Sequence, residues 1–97
     1  MNLINWNCRG LGALRVVREV ARLVAKFNPQ LLFLIETKRK RTKMEWLRVR
    51  WKFDKCMAVD NKGRRGGLAL LWNNAVTIEV QSFSNNHIDV LVGEIED

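Results

Sequence analysis

The order of apolar and polar positions predicts alternating strands and helices in the first half of the chain. A short apolar run at residues 3–6, ended by a glycine-rich stretch, is typical of a buried strand followed by a loop. Over residues 13–27 the apolar positions recur at helical spacing, with basic side chains on the opposite side. Asn28 and Pro29 end this predicted helix, because proline lacks the amide proton that the next turn needs.

A second strand and a second helix are predicted after this first helix. Residues 31–35 are all apolar, which after a helix predicts a second strand, parallel to the first, in a right-handed βαβ unit. Thr42 and Glu45 have the spacing of a capping box, which predicts a second helix from Thr42 to about Arg50. The apolar stripe of this helix consists of Met44, Leu47 and Trp51.

The last part of the chain has the pattern of an antiparallel β-meander. Strands are predicted at residues 54–59, 66–72, 76–80 and 87–92, and the last two alternate apolar and polar side chains. Residues 60–63 are rich in turn formers and predict the first chain reversal. The expected fold class is α/β, with the order β-α-β-α followed by the meander in a mixed sheet.

Charge separates the chain into two parts. The 97 residues are 47% hydrophobic and 28% charged, which fits one small globular domain. All 17 basic residues lie within positions 1–65 beside five acids, whereas positions 66–97 hold five acids and no base. This asymmetry favours an anionic partner, and nucleic acid rather than a membrane. A solvated basic surface is the alternative interpretation.

The cysteines and the N-terminal residues predict a protein that works inside the cell. Cys8 and Cys56 have neither metal-site spacing nor a neighbouring histidine, so no zinc site or disulfide framework is indicated. The sequence shows no signal-peptide pattern and no apolar stretch approaching the about 18 residues of a membrane span. We expect a nuclear or cytoplasmic protein that is not secreted.

Two polar residues follow the two predicted parallel strands. Asn7 follows the first strand and Glu36 the second, and the carboxyl ends of parallel strands meet at one edge of an open α/β sheet. A carboxylate and an amide carbonyl are oxygen ligands that suit Mg²⁺. The pair predicts a metal site, with simple loop and turn roles for Asn7 and Glu36 as the alternative.

Four blocks of sequence, in register, resemble the endonuclease/exonuclease/phosphatase superfamily. The blocks are NWNCRGLG at 5–12, FLIETK at 33–38, GRRGGLALLW at 63–72 and NHID at 86–89. The resemblance covers essentially the whole chain and extends to the endonuclease module of plant LINE-type (non-LTR) retrotransposons. It implies a Mg²⁺-dependent phosphodiesterase fold of two packed β-sheets with helices outside. Residues 1–97 would form the N-terminal part, half of this four-layer α/β sandwich.

The resemblance also implies roles for individual residues. Asn7 would orient the catalytic centre and Glu36 would bind the metal. The family's tyrosine, Asp-x-Asn element and closing Asp-His pair have no counterpart in this sequence. His87 lies in the mid-domain block, so we expect a structural histidine, and Asp89 is as readily a solvent-facing strand residue. Without a general base the domain should be catalytically incomplete and cleave little or no DNA.

Basic residues near the predicted site are candidate phosphate contacts, since neighbouring glycines let the backbone approach a phosphate closely. We assign nucleic-acid binding to Arg9, Lys38, Arg39, Lys40, Arg41, Arg64 and Arg65, with an exposed solubilising loop as the alternative. The four tryptophans are expected to pack in the core or between layers rather than stack on bases.

Two further interpretations stay open. A non-catalytic basic nucleic-acid-binding module would bind independently of Mg²⁺ and of Glu36. Alternatively, a second chain or a missing C-terminal half would complete the domain. The truncation would remove the second sheet, so the inner face of the first sheet, with Leu68, Leu70, Ile78 and Val90, is expected to lose its covering layer.

Overall fold

The protein folds as an α/β structure with two helices and six strands, here a computed structural model that describes residues 2–95. In chain order the elements are β1 (Leu3–Asn7), α1 (Leu14–Phe27), β2 (Leu31–Ile35), α2 (Arg41–Arg50), β3 (Lys55–Lys62), β4 (Arg65–Trp72), β5 (Val76–Phe83) and β6 (Ile88–Glu94). The expected α/β class and its β-α-β-α order are confirmed. Within the described residues no helix has the length and apolar character needed to cross a membrane.

The six strands form two sheets. The larger sheet is mixed and has the order β1-β2-β4-β3, with β1 parallel to β2 and both other pairs antiparallel. Strands β5 and β6 form a separate antiparallel pair, with an irregularity between Val80 and Ser82. The last two strands therefore start a second sheet instead of extending the first.

Both helices pack on one face of the mixed sheet. Val20 of α1 and Leu47 of α2 are fully buried against Leu32, Leu34 and Leu71 of the central strands. The predicted stripe of α2 is confirmed, because Met44, Leu47 and Trp51 all belong to this core. This helix-side core fixes the two βα loops at the carboxyl ends of β1 and β2.

The β5–β6 hairpin covers the opposite face of the mixed sheet. Leu70 packs there with Ile78 and Val90 of the hairpin, and only 3% of Leu70 is exposed. The expectation of an uncovered inner face was wrong, because Ile78 and Val90 belong to the covering layer. Exposed apolar side chains remain at its periphery, on Leu3 of β1 and Leu91 of β6.

Helix α2 begins at Arg41, one residue before the predicted start, and takes its cap from another element. The carboxylate of Asp60 in β3 accepts a hydrogen bond from the backbone N–H of Arg41 at 2.8 Å. Glu45 instead binds Arg48, with 2.6 Å between carboxylate and guanidinium. The capping box of Thr42 and Glu45 was a wrong prediction, because a tertiary contact supplies the acceptor that the first turn needs.

Strand β3 continues through the segment that the sequence predicts as a turn. Asn61 pairs with Gly66 and Lys62 with Arg65, so the chain reverses later, at residues 63–64. The longer hairpin carries Asn61 and the turn to the same edge as the ends of β1 and β2.

Three of the four tryptophans pack as expected. Trp51 is 4% and Trp72 9% exposed, and Trp6 is half-buried against the helix-side core. Trp46 differs, because it lies on the outer side of α2 and is 53% exposed. The expectation of core packing was wrong for this residue.

Candidate metal and phosphate site

Four chain connections meet at one edge of the mixed sheet. The β2–α2 loop is bound to the β1–α1 loop by the Gly10 N–H, which donates to the Glu36 carbonyl at 2.7 Å. It is bound to β4 by the Lys38 N–H, which donates to the Gly66 carbonyl at 2.8 Å. The loop between β5 and β6 reaches the same edge through Asn85. Backbone contacts therefore determine where the side chains of this edge lie.

The structure brings Asn7 and Glu36 to neighbouring positions on this edge. Asn7 is in register with Ile35, the last residue of β2, and Glu36 directly follows that strand. The Cys8 N–H donates to the Ile35 carbonyl at 3.0 Å, which extends the parallel pairing past the end of β1. The juxtaposition follows from the parallel pairing of the two strands, whereas the roles of Asn7 and Glu36 stay predictions.

A local turn orients the Asn7 side chain. Its Oδ1 accepts a hydrogen bond from the Arg9 N–H at 3.1 Å. Arg9 has φ 50°, a left-handed conformation that few non-glycine residues adopt. With Oδ1 held towards its own loop, the amide nitrogen is left as a donor on an exposed side chain.

Glu36 lines a pocket of about 420 Å³ between the two sheets. The pocket is also lined by the cations Lys38, Arg64 and Arg65 and by the amides Asn85 and Asn86. One acidic residue, three basic residues and two asparagines thus line the same pocket. This composition suits a phosphate group and a hard cation together.

The segment that carries Glu36 has an unusual backbone. Glu36 and Lys38 have φ values of 55° and 56°, on either side of Thr37. Left-handed conformations at non-glycine residues cost about 1–2 kcal/mol each and tend to cluster at functional sites. Thr37 is completely buried, and its N–H donates to the Gly67 carbonyl at 3.0 Å. Contacts with β4 therefore maintain the strained segment.

A basic groove adjoins this pocket on the helix side of the sheet. It consists of two neighbouring cavities of about 550 and 500 Å³ that share Gly12, Lys38, Arg39 and Asn61. Seven cations line them, and no carboxylate does so among the described residues. These cations are Arg9, Arg15, Lys38, Arg39, Lys40, Lys43 and Arg64. The groove is therefore a strongly positive surface.

Five of the seven sequence-predicted phosphate contacts line the basic groove. Arg65 lies in the Glu36 pocket instead, and Arg41 pairs with Asp60 across 3.4 Å. Besides Lys43, which follows the assigned basic run, Arg15 is a groove residue that the sequence analysis did not assign. Its position in the first turn of α1 was the available signal, because that turn begins at the carboxyl edge of β1.

Cys8 lies beside the site but is chemically quiet. Its thiol is buried and donates to the Ile35 carbonyl at 3.2 Å. Burial raises the pKa of this thiol, and the charge of Glu36 raises it further. A thiol held in its protonated form is neither a nucleophile nor a metal ligand.

His87 lies in the β5–β6 loop, where two serines surround its ring. The Ser84 hydroxyl is 2.6 Å from Nδ1 and the Ser82 hydroxyl 3.4 Å from Nε2. Asp89 pairs in register with Ser82 on an exposed part of β6. Local partners therefore account for the position of His87.

The donor set at this edge fits Mg²⁺ better than zinc. Across residues 2–95 no group of three or more His, Cys, Asp or Glu side chains is placed to hold a metal ion. Zinc requires three or four such ligands, whereas Mg²⁺ binds through one or two carboxylates and keeps several waters. Glu36 is the carboxylate of the pocket, with the amides Asn85 and Asn86 beside it.

Comparison with known proteins identifies the family of the chain. Residues 4–95 match the endonuclease/exonuclease/phosphatase family. A search of curated proteins finds no match. Members of the family typically depend on a divalent metal, and the match indicates a phosphodiester hydrolase-like domain. Since the match extends over nearly all of its residues, the chain belongs to the endonuclease/exonuclease/phosphatase family.

Proposed function

We propose that this chain provides the metal- and phosphate-binding half of a Mg²⁺-dependent DNA endonuclease site. The observation that carries the proposal is the pairing of Asn7 with the end of β2, which sets Glu36 beside it at the mouth of a cation-lined pocket. The four sequence blocks that resemble LINE-type endonucleases support a retrotransposon origin. Free cysteines and a DNA substrate support a nuclear or cytoplasmic location.

The residues of the pocket and the neighbouring Asn7 have different proposed roles. Glu36 would hold Mg²⁺, with Asn7 at its side. A bound Mg²⁺ supplies Lewis acidity, which polarises a phosphate and stabilises the leaving oxygen. Lys38, Arg64 and Arg65 would bind the phosphate oxygens and position the scissile group. The amide nitrogen of Asn7, oriented through its Oδ1, would donate to the same group.

These 97 residues should nevertheless cleave DNA poorly. They contain no tyrosine and neither an Asp-x-Asn nor an Asp-His sequence. Within residues 2–95 the one histidine lies between two serines in the β5–β6 loop. A placed general base contributes typically 10²- to 10⁴-fold to such a reaction, so its loss leaves slow cleavage at best. We infer that a second chain, or sequence beyond these residues, supplies the base.

Metal binding and cleavage can be tested separately. Titration with Mg²⁺ should shift the backbone NMR signals of residues around Asn7 and Glu36, and Glu36→Gln should abolish the shifts. Glu79→Gln, which removes an exposed carboxylate from β5, is the matched control and should leave them unchanged. Shifts that persist in Glu36→Gln would refute the metal assignment. If the wild type nicks supercoiled plasmid strongly and Glu36→Gln removes this activity, the metal assignment stands. Only the inference that the site lacks a general base would then be refuted.

The basic groove favours a second candidate function, a non-catalytic nucleic-acid-binding module. Its seven cations form a continuous positive surface, and Glu36 is not among the residues that line it. This function predicts DNA binding that Mg²⁺ and Glu36→Gln leave unchanged and that weakens steeply with salt. Equal DNA affinity with and without Mg²⁺, together with the absence of Mg²⁺-induced NMR shifts, would favour this module over the endonuclease half-site.

A further inference from the structure

The outer face of α2 carries an exposed tryptophan that neither the core nor the candidate site uses. Trp46 is 53% exposed, whereas Trp51, five residues later, is 4% exposed in the core. The basic groove and the Glu36 pocket do not include Trp46 among their lining residues. About half of this indole is therefore open to solvent.

Two cations flank this indole. The Lys43 ammonium lies 4.3 Å and the Arg50 guanidinium carbon 5.5 Å from the centre of the Trp46 ring. Spacings of three and four residues place all three side chains on one face of the helix. The carboxylate of Glu45 is held by Arg48 and does not neutralise them. The helix face therefore combines one aromatic surface with two positive charges.

We propose that this face of α2 binds single-stranded nucleic acid. A base stacks on the Trp46 ring, and Lys43 and Arg50, which lie over the ring in the free protein, move to the adjacent phosphates. An aromatic platform between cations is the chemistry that binds single strands, because every base has a π-face and every link a negative charge. A duplex keeps its bases stacked on one another and offers only its phosphates. An apolar protein partner fits less well, because the exposed apolar surface of α2 is otherwise limited to Val49.

The platform is continuous with the basic groove. Lys43 lines the groove and also lies over the Trp46 ring. Arg50 lies seven positions after Lys43, which is about 10 Å along an α-helix. A strand that leaves the groove at Lys43 can therefore continue along α2 to Arg50. The site uses neither Glu36 nor a metal, so it does not depend on the proposed cleavage.

Affinity for a labelled 15-nucleotide thymidine strand tests the proposal. Trp46→Leu keeps an apolar side chain but removes the π-face, and it should weaken binding at least about fivefold, the lower end of base–aromatic stacking. Trp46→Phe should retain most of the affinity. Val49→Ala truncates a neighbouring exposed side chain and should leave the affinity unchanged. Equal affinities of wild type and Trp46→Leu would overturn the proposal.

Tryptophan fluorescence provides a second, direct readout. Trp46 is the most exposed tryptophan, so it should dominate the red edge of the emission. Saturating thymidine strand should quench this emission, and a duplex of equal length should quench it much less. Equal quenching by strand and duplex would overturn the assignment to single strands. Circular dichroism of Trp46→Leu should match the wild type, because the replaced side chain lies outside the core.

Discussion

The side chain of Thr37 occupies the space that a Cβ atom on Gly67 would need. A Cβ built on Gly67 would collide with the Thr37 hydroxyl and would lie 2.9 Å from the Lys38 nitrogen. Gly67 also has φ 89°, a backbone conformation that disfavours a side chain. The close approach lets the Thr37 N–H bond to β4, and it holds Glu36 and Lys38 in their left-handed conformations at the site.

Gly67→Ala should therefore damage both stability and the site. We expect a loss of about 3 kcal/mol or more in the free energy of unfolding, because steric overlap adds to an unfavourable φ. Gly63→Ala is the matched control, since Gly63 has φ 57° with open space around its Cβ position, and it should lose only about 1–2 kcal/mol. Urea denaturation measures both, and equal losses would show that the contact with Thr37 contributes nothing.

The Asp60 cap of α2 makes a prediction that separates it from the capping box. Asp60→Ala should cost about 1 kcal/mol in the free energy of unfolding, because the Arg41 N–H loses its acceptor in the first turn. Asp60→Asn keeps an acceptor oxygen and should recover most of the loss. Thr42→Ala should be nearly neutral. If urea denaturation shows a larger loss of unfolding free energy for Thr42→Ala than for Asp60→Ala, Thr42 and not Asp60 caps the helix.

Local sequence patterns were sufficient for most of the fold. Residues 31–35 were predicted as a parallel strand and form β2 with those bounds, because a wholly apolar run after an amphipathic helix has few other placements. Residues 60–63 show where such patterns fail. They are turn formers, yet pairing with β4 keeps Asn61 and Lys62 in β3. The stability of a longer hairpin outweighs their local preference.

The candidate site could be predicted only where it depends on strand order. The neighbouring positions of Asn7 and Glu36 follow from two parallel strands, which the sequence pattern gives directly. The burial of Thr37 and the exposure of Trp46 depend on how separate elements pack. The residues next to Thr37 in the sequence do not show that β4 covers it, and those next to Trp46 do not show that no element covers it.

Cys56 should make the stability of the protein depend on alkaline pH. Burial raises the pKa of its thiol from the ordinary 9.0 to about 12. Below pH 9 the thiol is protonated in the folded and in the unfolded protein, so its full contribution to the free energy of unfolding is present. Between pH 9 and 12 the unfolded chain loses the proton while the folded protein keeps it. Stability should then fall with rising pH by at most about 1.4 kcal/mol per unit.

Cys56→Ala separates this effect from the ionisation of other groups. The variant has no thiol at this position, so its free energy of unfolding should decline less between pH 9 and 10.5 than that of the wild type. Urea denaturation at several pH values in reducing buffer measures both slopes. Parallel slopes would mean that the folded protein does not protect the Cys56 proton.

The number of cations in the basic groove that contact phosphates should determine how steeply DNA affinity falls with salt. Each phosphate that a cation neutralises contributes about 0.9 to the slope of log affinity against log salt for a DNA duplex. Arg39 lies directly over Gly12, where a side chain would collide with its guanidinium, so this cation is close to the β1–α1 loop that lines the groove. Arg39→Ala should therefore lower the slope by about 1 for a 20-base-pair duplex of any sequence.

Two further variants make this experiment specific to the groove. Arg15→Ala removes the groove cation in the first turn of α1 and should lower the slope by a similar amount. Lys55→Ala removes an exposed cation from the opposite end of β3 and should leave the slope unchanged. Fluorescence anisotropy from 50 to 300 mM salt measures all three. Equal changes for Lys55→Ala and Arg39→Ala would mean that DNA responds to total charge and does not lie in the groove.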